Sequence, residues 1–273
     1  MLSVFTGYFI ELMLLFMFVF AHECGHMLMA RQLNWNIKEL KLLPFGGVLI
    51  IDDAQATKAK DEILVALAGP LQNVILIGLI WLCGQLHLLS FEWVNYMMMA
   101  NSWLILFNLL PISPLDGGKL VQASLSLLLP YYTTLKIVTW TSIVGGGLMI
   151  LFAMTYSLWF NGSGPQLNLL LIGSFILVDN IMRLKHLPYL LYRFILQRDK
   201  QLQQLTSDNA VPVVVHETDS LFSLFKKIRR ESSHLFYCVS TTSKQMKMKT
   251  EYEIVQNFIQ SSHLNRALID IFD

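Results

Sequence analysis

In the run YFIELMLLFMFVFAHECGHMLMAR, residues 8–31, a long apolar stretch is interrupted by His22, Glu23 and His26. They form H-E-x-x-H. On a helix, positions i and i+4 share a face, so His22 and His26 bring two imidazole nitrogens to one metal ion. Glu23 is placed to polarise a water held at an open coordination position, and zinc is the ion this chemistry uses. Two imidazoles and a carboxylate in an apolar span are expensive to desolvate, so a functional role is the default. Chance alone gives H-E-x-x-H in about one in a hundred chains of this length and histidine content. A lone histidine on an apolar face is ordinarily a satisfied core residue; this spacing is different.

A catalytic zinc takes three protein ligands and keeps one position open. Asp116, in FNLLPISPLDGGKL (residues 107–120), is the candidate third ligand. Asn108, Pro111, Pro114, Gly117 and Gly118 break the helix there, and the glycines allow close backbone approach. A turn aspartate capping a helix over 117–129 is the alternative. Asn73, in AGPLQN (68–73), either bonds a neighbouring helix or orients substrate. Asn73 and Asn108 are the candidate substrate contacts. Pro70 is expected to kink its helix and Gly69 to let helices approach. Lys119 reads as a membrane-surface anchor. Cys24 lies at i+2 from His22, on another face. With Cys83 and Cys238 it forms neither a disulfide framework nor a thiolate metal site.

These residues are positioned by membrane spans. The 273-residue chain is 54% hydrophobic and 14% charged, with mean hydropathy +0.51. Soluble domains carry about a quarter charged residues, so this is an integral membrane protein. A net charge of +1 excludes a bulk electrostatic case for nucleic acid. Apolar stretches at 4–30, 63–89, 93–113, 133–157 and 166–185 give five expected spans. The first basic residue is Arg31, so the N-terminal stretch lacks the basic region and cleavage site expected of a signal peptide. With five spans, all 20 Lys and Arg fall on one side, so the C-terminus is expected in the cytoplasm and the N-terminus outside. The metal motif then lies toward the cytoplasmic end of its span. Residues 42–53, LLPFGGVLIIDD, are too short to span and read as a hairpin or re-entrant loop near the metal helix. Gly145, Gly146 and Gly147 read as helix-packing positions. Asp179 and Asn180 mark an interfacial helix end.

After residue 186 the composition changes. Residues 1–187 are the expected transmembrane zinc protease domain, 188–205 a helical linker, and 206–273 a small regulatory domain. In the last, strands at 211–215, 235–239 and 244–249 alternate with helices at 219–230 and 250–260. So small a module is marginal alone and is expected to pair with a copy of itself.

HECGH in one span, AGPLQN in the next and NLLPISPLDGGK in the following one resemble the site-2 intramembrane zinc proteases. LLPFGG and the terminal small domain narrow the resemblance to members that act in spore-forming bacteria, and it covers nearly the whole chain. The implied fold is a polytopic α-helical membrane protein, a site-2 protease core, with a small C-terminal α/β CBS-like domain. His22, His26 and Asp116 match the family's metal ligands and Glu23 its general base. The resemblance implies Zn2+ as cofactor, cleavage of the precursor pro-sigma-K, and regulation by ATP through the CBS-like domain. It also implies inhibitory membrane partner proteins and location in the mother-cell membrane surrounding the forespore. Such members have six spans with the motif in the second, so a span ahead of residue 22 is expected to be absent from this chain.

Two other classes compete. An inactive membrane scaffold that binds precursor or ATP would need no base, yet Glu23 is present. A zinc or ion transporter would distribute polar residues along a path through the membrane, whereas here they concentrate at one end.

Overall fold

The structure, a computed structural model, describes residues 9–43, 46–51, 57–159, 166–202, 210–216, 219–239 and 246–261. The chain divides into two compact units. One comprises Met1–Gln55 and Lys60–Val121, the other Ala56–Ala59 and Gln122–Asp273.

The first unit is built on α1 (Phe9–Gln32), α2 (Ala59–Gln85), α3 (Phe91–Asn108) and the start of α4 (Asp116–Leu128), with an antiparallel hairpin of β1 (Ile37–Leu43) and β2 (Gly46–Ile51). The hairpin falls where the LLPFGG segment predicts one; residues 44–45 and 52–56 lie outside the described residues. Phe18, His22, Glu23, Gly25, His26 and Ala30 form the buried stripe of α1, the i, i+4 pattern of one helix face. Its other faces expose Phe9, Met13, Phe16, Met17 and Phe20. An apolar exterior around a polar interior suits a lipid solvent. At Gly25 an added Cβ would lie 2.6 Å from the carbonyl oxygen of Ala68. Only glycine there lets α1 and α2 touch backbone to backbone.

Four described helices are long and apolar enough to cross a membrane: Phe9–Gln32, Ala59–Gln85, Tyr131–Tyr156 and Leu167–Arg198. The expectation was five. The fifth, at 93–113, is the helix α3, but Glu92, Asn95, Asn101 and Asn108 lower its hydropathy and it is not among the four. The protein is multi-pass, and the argument from an odd number of spans to opposite sides for the termini loses its footing.

The second unit pairs α5 (Tyr131–Trp159) with α6 (Leu167–Leu202). At Gly146 an added Cβ would sit 3.3 Å from the carbonyl oxygen of Gly173, so two glycines set this crossing; Gly147 faces open space. Helix α6 runs unbroken through 188–202. It does more than connect, because Leu191, Phe194 and Ile195 are buried in the core of the C-terminal module. That module has a three-stranded sheet in the order β3 (Val211–His216), β4 (His234–Val239), β5 (Met246–Thr250). β3 pairs with β4 in parallel and β4 with β5 antiparallel. Along β4, His234, Phe236 and Cys238 are buried and alternate with half-buried neighbours, the period of a strand with one face on the core. Helices α7 (Leu221–Phe225) and α8 (Glu251–Ser261) close that core with Leu221, Leu224, Phe225, Ile254, Val255 and Phe258. What is observed is a small sheet with helices.

Helix α7 is shorter than the 219–230 the sequence suggests. After Phe225 the backbone tightens to i→i−3 bonds at Lys227 and Ile228, and the carbonyl of Ile228 accepts the N–H of Tyr131. Tertiary pairing thus replaces the next helical bond. A buried polar cluster fixes the module to α6. Arg198 donates from Nε to Glu251 Oε1 at 2.6 Å and from its two Nη atoms to the carbonyls of Arg230 and Ser232. Glu251 Oε2 accepts from His234 at both its backbone N, 3.0 Å, and Nδ1, 2.8 Å. Burial would raise the Glu251 carboxyl. Its hydrogen bonds from His234 and Arg198, and the Arg198 charge, hold it below the ordinary glutamate range instead.

Candidate metal centre

Helix α1 places His22 and His26 one turn apart on its buried face, with ring centroids 4.8 Å apart and planes at 85°. The loop after α3 folds back over the first turn of α4, so closely that a Cβ on Gly117 would lie 2.2 Å from the carbonyl oxygen of Leu110. This clamp holds Asp116 against the histidines. Its Oδ2 lies 2.9 Å from His22 Nε2 and 3.0 Å from His26 Nε2, while the two Nε2 atoms are 3.1 Å apart. Four-coordinate zinc with bonds near 2.0–2.2 Å keeps its donors about 3.3 Å apart. The observed triangle is slightly tighter and of the same form.

The remaining ring nitrogens determine what this triangle can hold. His26 Nδ1 lies 2.7 Å from the carbonyl oxygen of Val65, an obligate acceptor. His22 Nδ1 lies 2.6 Å from Asn73 Oδ1. Both Nδ1 atoms therefore carry protons, and in neutral rings both Nε2 atoms present lone pairs. Two lone pairs and a carboxylate oxygen then face one another, an arrangement a cation resolves. Gly69 supplies a second fit test. A Cβ there would lie 2.3 Å from His26 Nε2 and 2.7 Å from His22 Nε2, so the absent side chain leaves room beside both donors. The residues present fit zinc.

Glu23 is buried beside the triangle. One of its carboxylate oxygens and a ring nitrogen from each histidine lie within 4.8 Å of one another. Lys119 is not simply a surface anchor. Its Nζ donates to Asp116 Oδ1 at 2.9 Å, which leaves Oδ2 to face the histidines, although the lysine side chain is about half exposed. Of the two readings of Asn73, a bond to neighbouring helices is what is observed. It is fully buried, bonding His22 on α1 and Asn101 on α3. Asn108 is half-buried at the C-terminal end of α3. Sequence reasoning missed Asn101 and the Lys119–Asp116 pair. The signal for Asn101 was its occurrence as an amide in mid-span, where polar groups require partners.

Residues 10–91 match the model of peptidase family M50. The chain is 25% identical to stage IV sporulation protein FB of Bacillus subtilis, over 99% of this chain and 91% of that protein. It is 32% identical to a zinc metalloprotease of Methanocaldococcus jannaschii, over 45% of this chain and 37% of that one. The solved site-2 protease from Methanocaldococcus jannaschii shares the fold with a TM-score of 0.54 at 27% identity, covering 67% of this chain and 82% of that structure. A peptidase match across the metal motif, a likeness along nearly the whole chain and a shared membrane fold lead to one conclusion: this protein is a zinc metalloendopeptidase that resembles stage IV sporulation protein FB and the site-2 proteases.

Proposed function

We propose that His22, His26 and Asp116 hold the zinc and that Glu23 is the general base for hydrolysis of a peptide bond in a membrane-associated precursor. The observation that carries this reading is the convergence of His22 Nε2, His26 Nε2 and Asp116 Oδ2 within 3.1 Å of one another. When bound, zinc supplies Lewis acidity toward water and the peptide carbonyl. Glu23 takes the proton of the attacking water and returns it to the leaving amine. Lys119 keeps one Asp116 oxygen engaged, so the other is directed at the metal. Gly69 leaves the space the reaction needs, and Asn108 is the candidate for holding substrate backbone.

The substrate reading follows from the resemblance to the sporulation protein: a pro-sigma-K-like precursor, cleaved in the membrane surrounding the forespore, with inhibitory membrane proteins as partners. The basic residues concentrate in 31–62 and beyond 183, which supports a cytoplasmic C-terminus. The module after α6 is proposed to be CBS-like, to pair with a second copy and to respond to ATP. In support, α6 is part of its core, so a nucleotide that shifted the module would act on a membrane helix without a flexible linker between them. The test is co-expression with a sigma precursor, scored for cleavage. Glu23→Gln should retain zinc and lose cleavage, whereas substantial remaining activity would assign the base elsewhere. A cleavage rate unchanged across ATP concentrations would remove the regulatory part alone.

A further inference from the structure

We propose that Asn101 is a positioning residue of the metal centre: it sets the hydrogen-bond direction of Asn73 and, through it, the tautomer and ring orientation of His22. This rests on the reading of His22 as a metal ligand. Asn101 lies within α3 and is fully buried. Its Nδ2 donates to the backbone carbonyl of Met97, 2.9 Å away. A carbonyl only accepts, so the amide group of Asn101 has one orientation, with Oδ1 toward α2. There Oδ1 accepts from Asn73 Nδ2 at 2.9 Å. That fixes Asn73 in turn, with Oδ1 toward His22 Nδ1 at 2.6 Å. An amide oxygen cannot donate, so the His22 proton must sit on Nδ1 and the lone pair on Nε2, facing Asp116.

The polarity of the chain is thus set by Met97 and delivered to His22 through two amides on two helices. His26 reaches the same state in one step, through Val65. Without the oxygen of Asn101, Asn73 is free to flip and present its NH2 to His22. That would drive the proton to Nε2 and remove a ligand. A bond that merely joins α2 to α3 would contribute to stability and leave zinc affinity alone.

The experiment uses the full chain in detergent. Zinc affinity is measured by chelator competition, and the visible absorption of the cobalt-substituted protein reports ligand geometry. Asn101→Leu, close in shape, should weaken zinc binding by about 10–100-fold and alter the cobalt spectrum. Asn101→Asp, which in its protonated form both accepts from Asn73 and donates to Met97, should stay within about threefold. If the leucine variant does not fold, Asn101→Ser, too short to reach Asn73, takes its place with the same expectation. Wild-type zinc affinity and an unchanged cobalt spectrum in Asn101→Leu or Asn101→Ser overturn the proposal. So does an equal loss in Asn101→Asp. A wild-type protein that binds no zinc would instead refute the metal centre itself.

Discussion

Replacing Gly69 with alanine adds one methyl group at the most crowded point of the centre. Gly69→Ala puts a Cβ 2.3 Å from His26 Nε2 and 2.7 Å from His22 Nε2, where ordinary contact begins at 3.4 Å. If α2 stays in place, the His26 ring must retreat by about 1.1 Å and the His22 ring by about 0.7 Å. Metal sites hold their ligand distances to about 0.2 Å. Neither ring can swing freely, since Val65 and Asn73 hold their Nδ1 atoms. The alternative is for α2 to shift, which its backbone contact with Gly25 opposes.

Overpacking of this kind costs about 1–3 kcal/mol in stability. A misplacement near 1 Å costs about a hundredfold in function. Gly69→Ala is therefore expected to fold, to carry only a small fraction of wild-type zinc, and to lose cleavage by at least about a hundredfold. The control is Gly78→Ala on the same helix, where an added Cβ meets nothing within 4 Å; zinc and activity should match wild type. Metal analysis of purified protein at matched folded yield, beside the cleavage assay, reads both. Full zinc and full activity in Gly69→Ala would mean that the glycine does not border the metal, and the site as built here would be wrong.

Asp116→Ala should lose zinc and cleavage together; were Asp116 only a helix cap, the cost would be about 1 kcal/mol of stability with zinc retained, and zinc content at matched yield separates the two. Lys119→Gln should keep zinc and reduce cleavage far less than Asp116→Ala, since a half-exposed ion pair contributes at most about 1 kcal/mol; the same two assays decide it. Glu251→Ala leaves the fully buried Arg198 without its carboxylate, so the C-terminal module should lose about 3–5 kcal/mol, seen as proteolysis of 210–261 with zinc still bound. Because folding holds the Glu251 carboxyl below its ordinary value, its stabilisation is complete above the ordinary glutamate range and is lost as pH falls through the folded value. Thermal melts should fall on acidification in wild type, and this component of the fall should be absent in Glu251→Ala.

What could be read from the sequence, and what could not, divides along the range of the interactions. The i, i+4 spacing of His22 and His26 is local, and the helix delivers it. Asp116 is 94 residues from His22, yet the zinc ligand count, with its position among helix breakers, pointed to it, and its Oδ2 lies 2.9 Å from His22 Nε2. Asn73 has two readings in the sequence because which helix it meets is a tertiary fact. Asn101 shows in the sequence only as an amide within an apolar helix, and its partner on another helix is a tertiary fact of the same kind. α3 was expected as a plain span, but the amides that lower its hydropathy include the one bonded to Asn73. The truncation of α7 depends on Tyr131, almost a hundred residues earlier, and local propensity carries no trace of it. The unbroken α6 was legible as a helix. That its far end forms part of a sheet domain's core was not.

A membrane interior makes the polar bookkeeping of the centre unusually strict. Each buried donor or acceptor without a partner costs several kcal/mol there. His22, His26, Asn73 and Asn101 are each hydrogen-bonded through the groups that face away from the triangle, to Val65, to Met97 or to one another. The strain is confined to the Nε2–Nε2–Oδ2 triangle itself. A proton on one Nε2 can serve Asp116, but protons on both would bring two N–H groups together at 3.1 Å. Protons therefore leave at least one histidine poorly served, whereas one divalent cation serves all three donors at once. The surrounding network is the kind that holds ligands apart in readiness for a metal and lets the helices pack before it arrives. On that argument the zinc-free protein keeps its fold, and chelation should abolish cleavage reversibly, with near-native helix content by circular dichroism. Global unfolding on chelation would show instead that the network cannot stand without the metal.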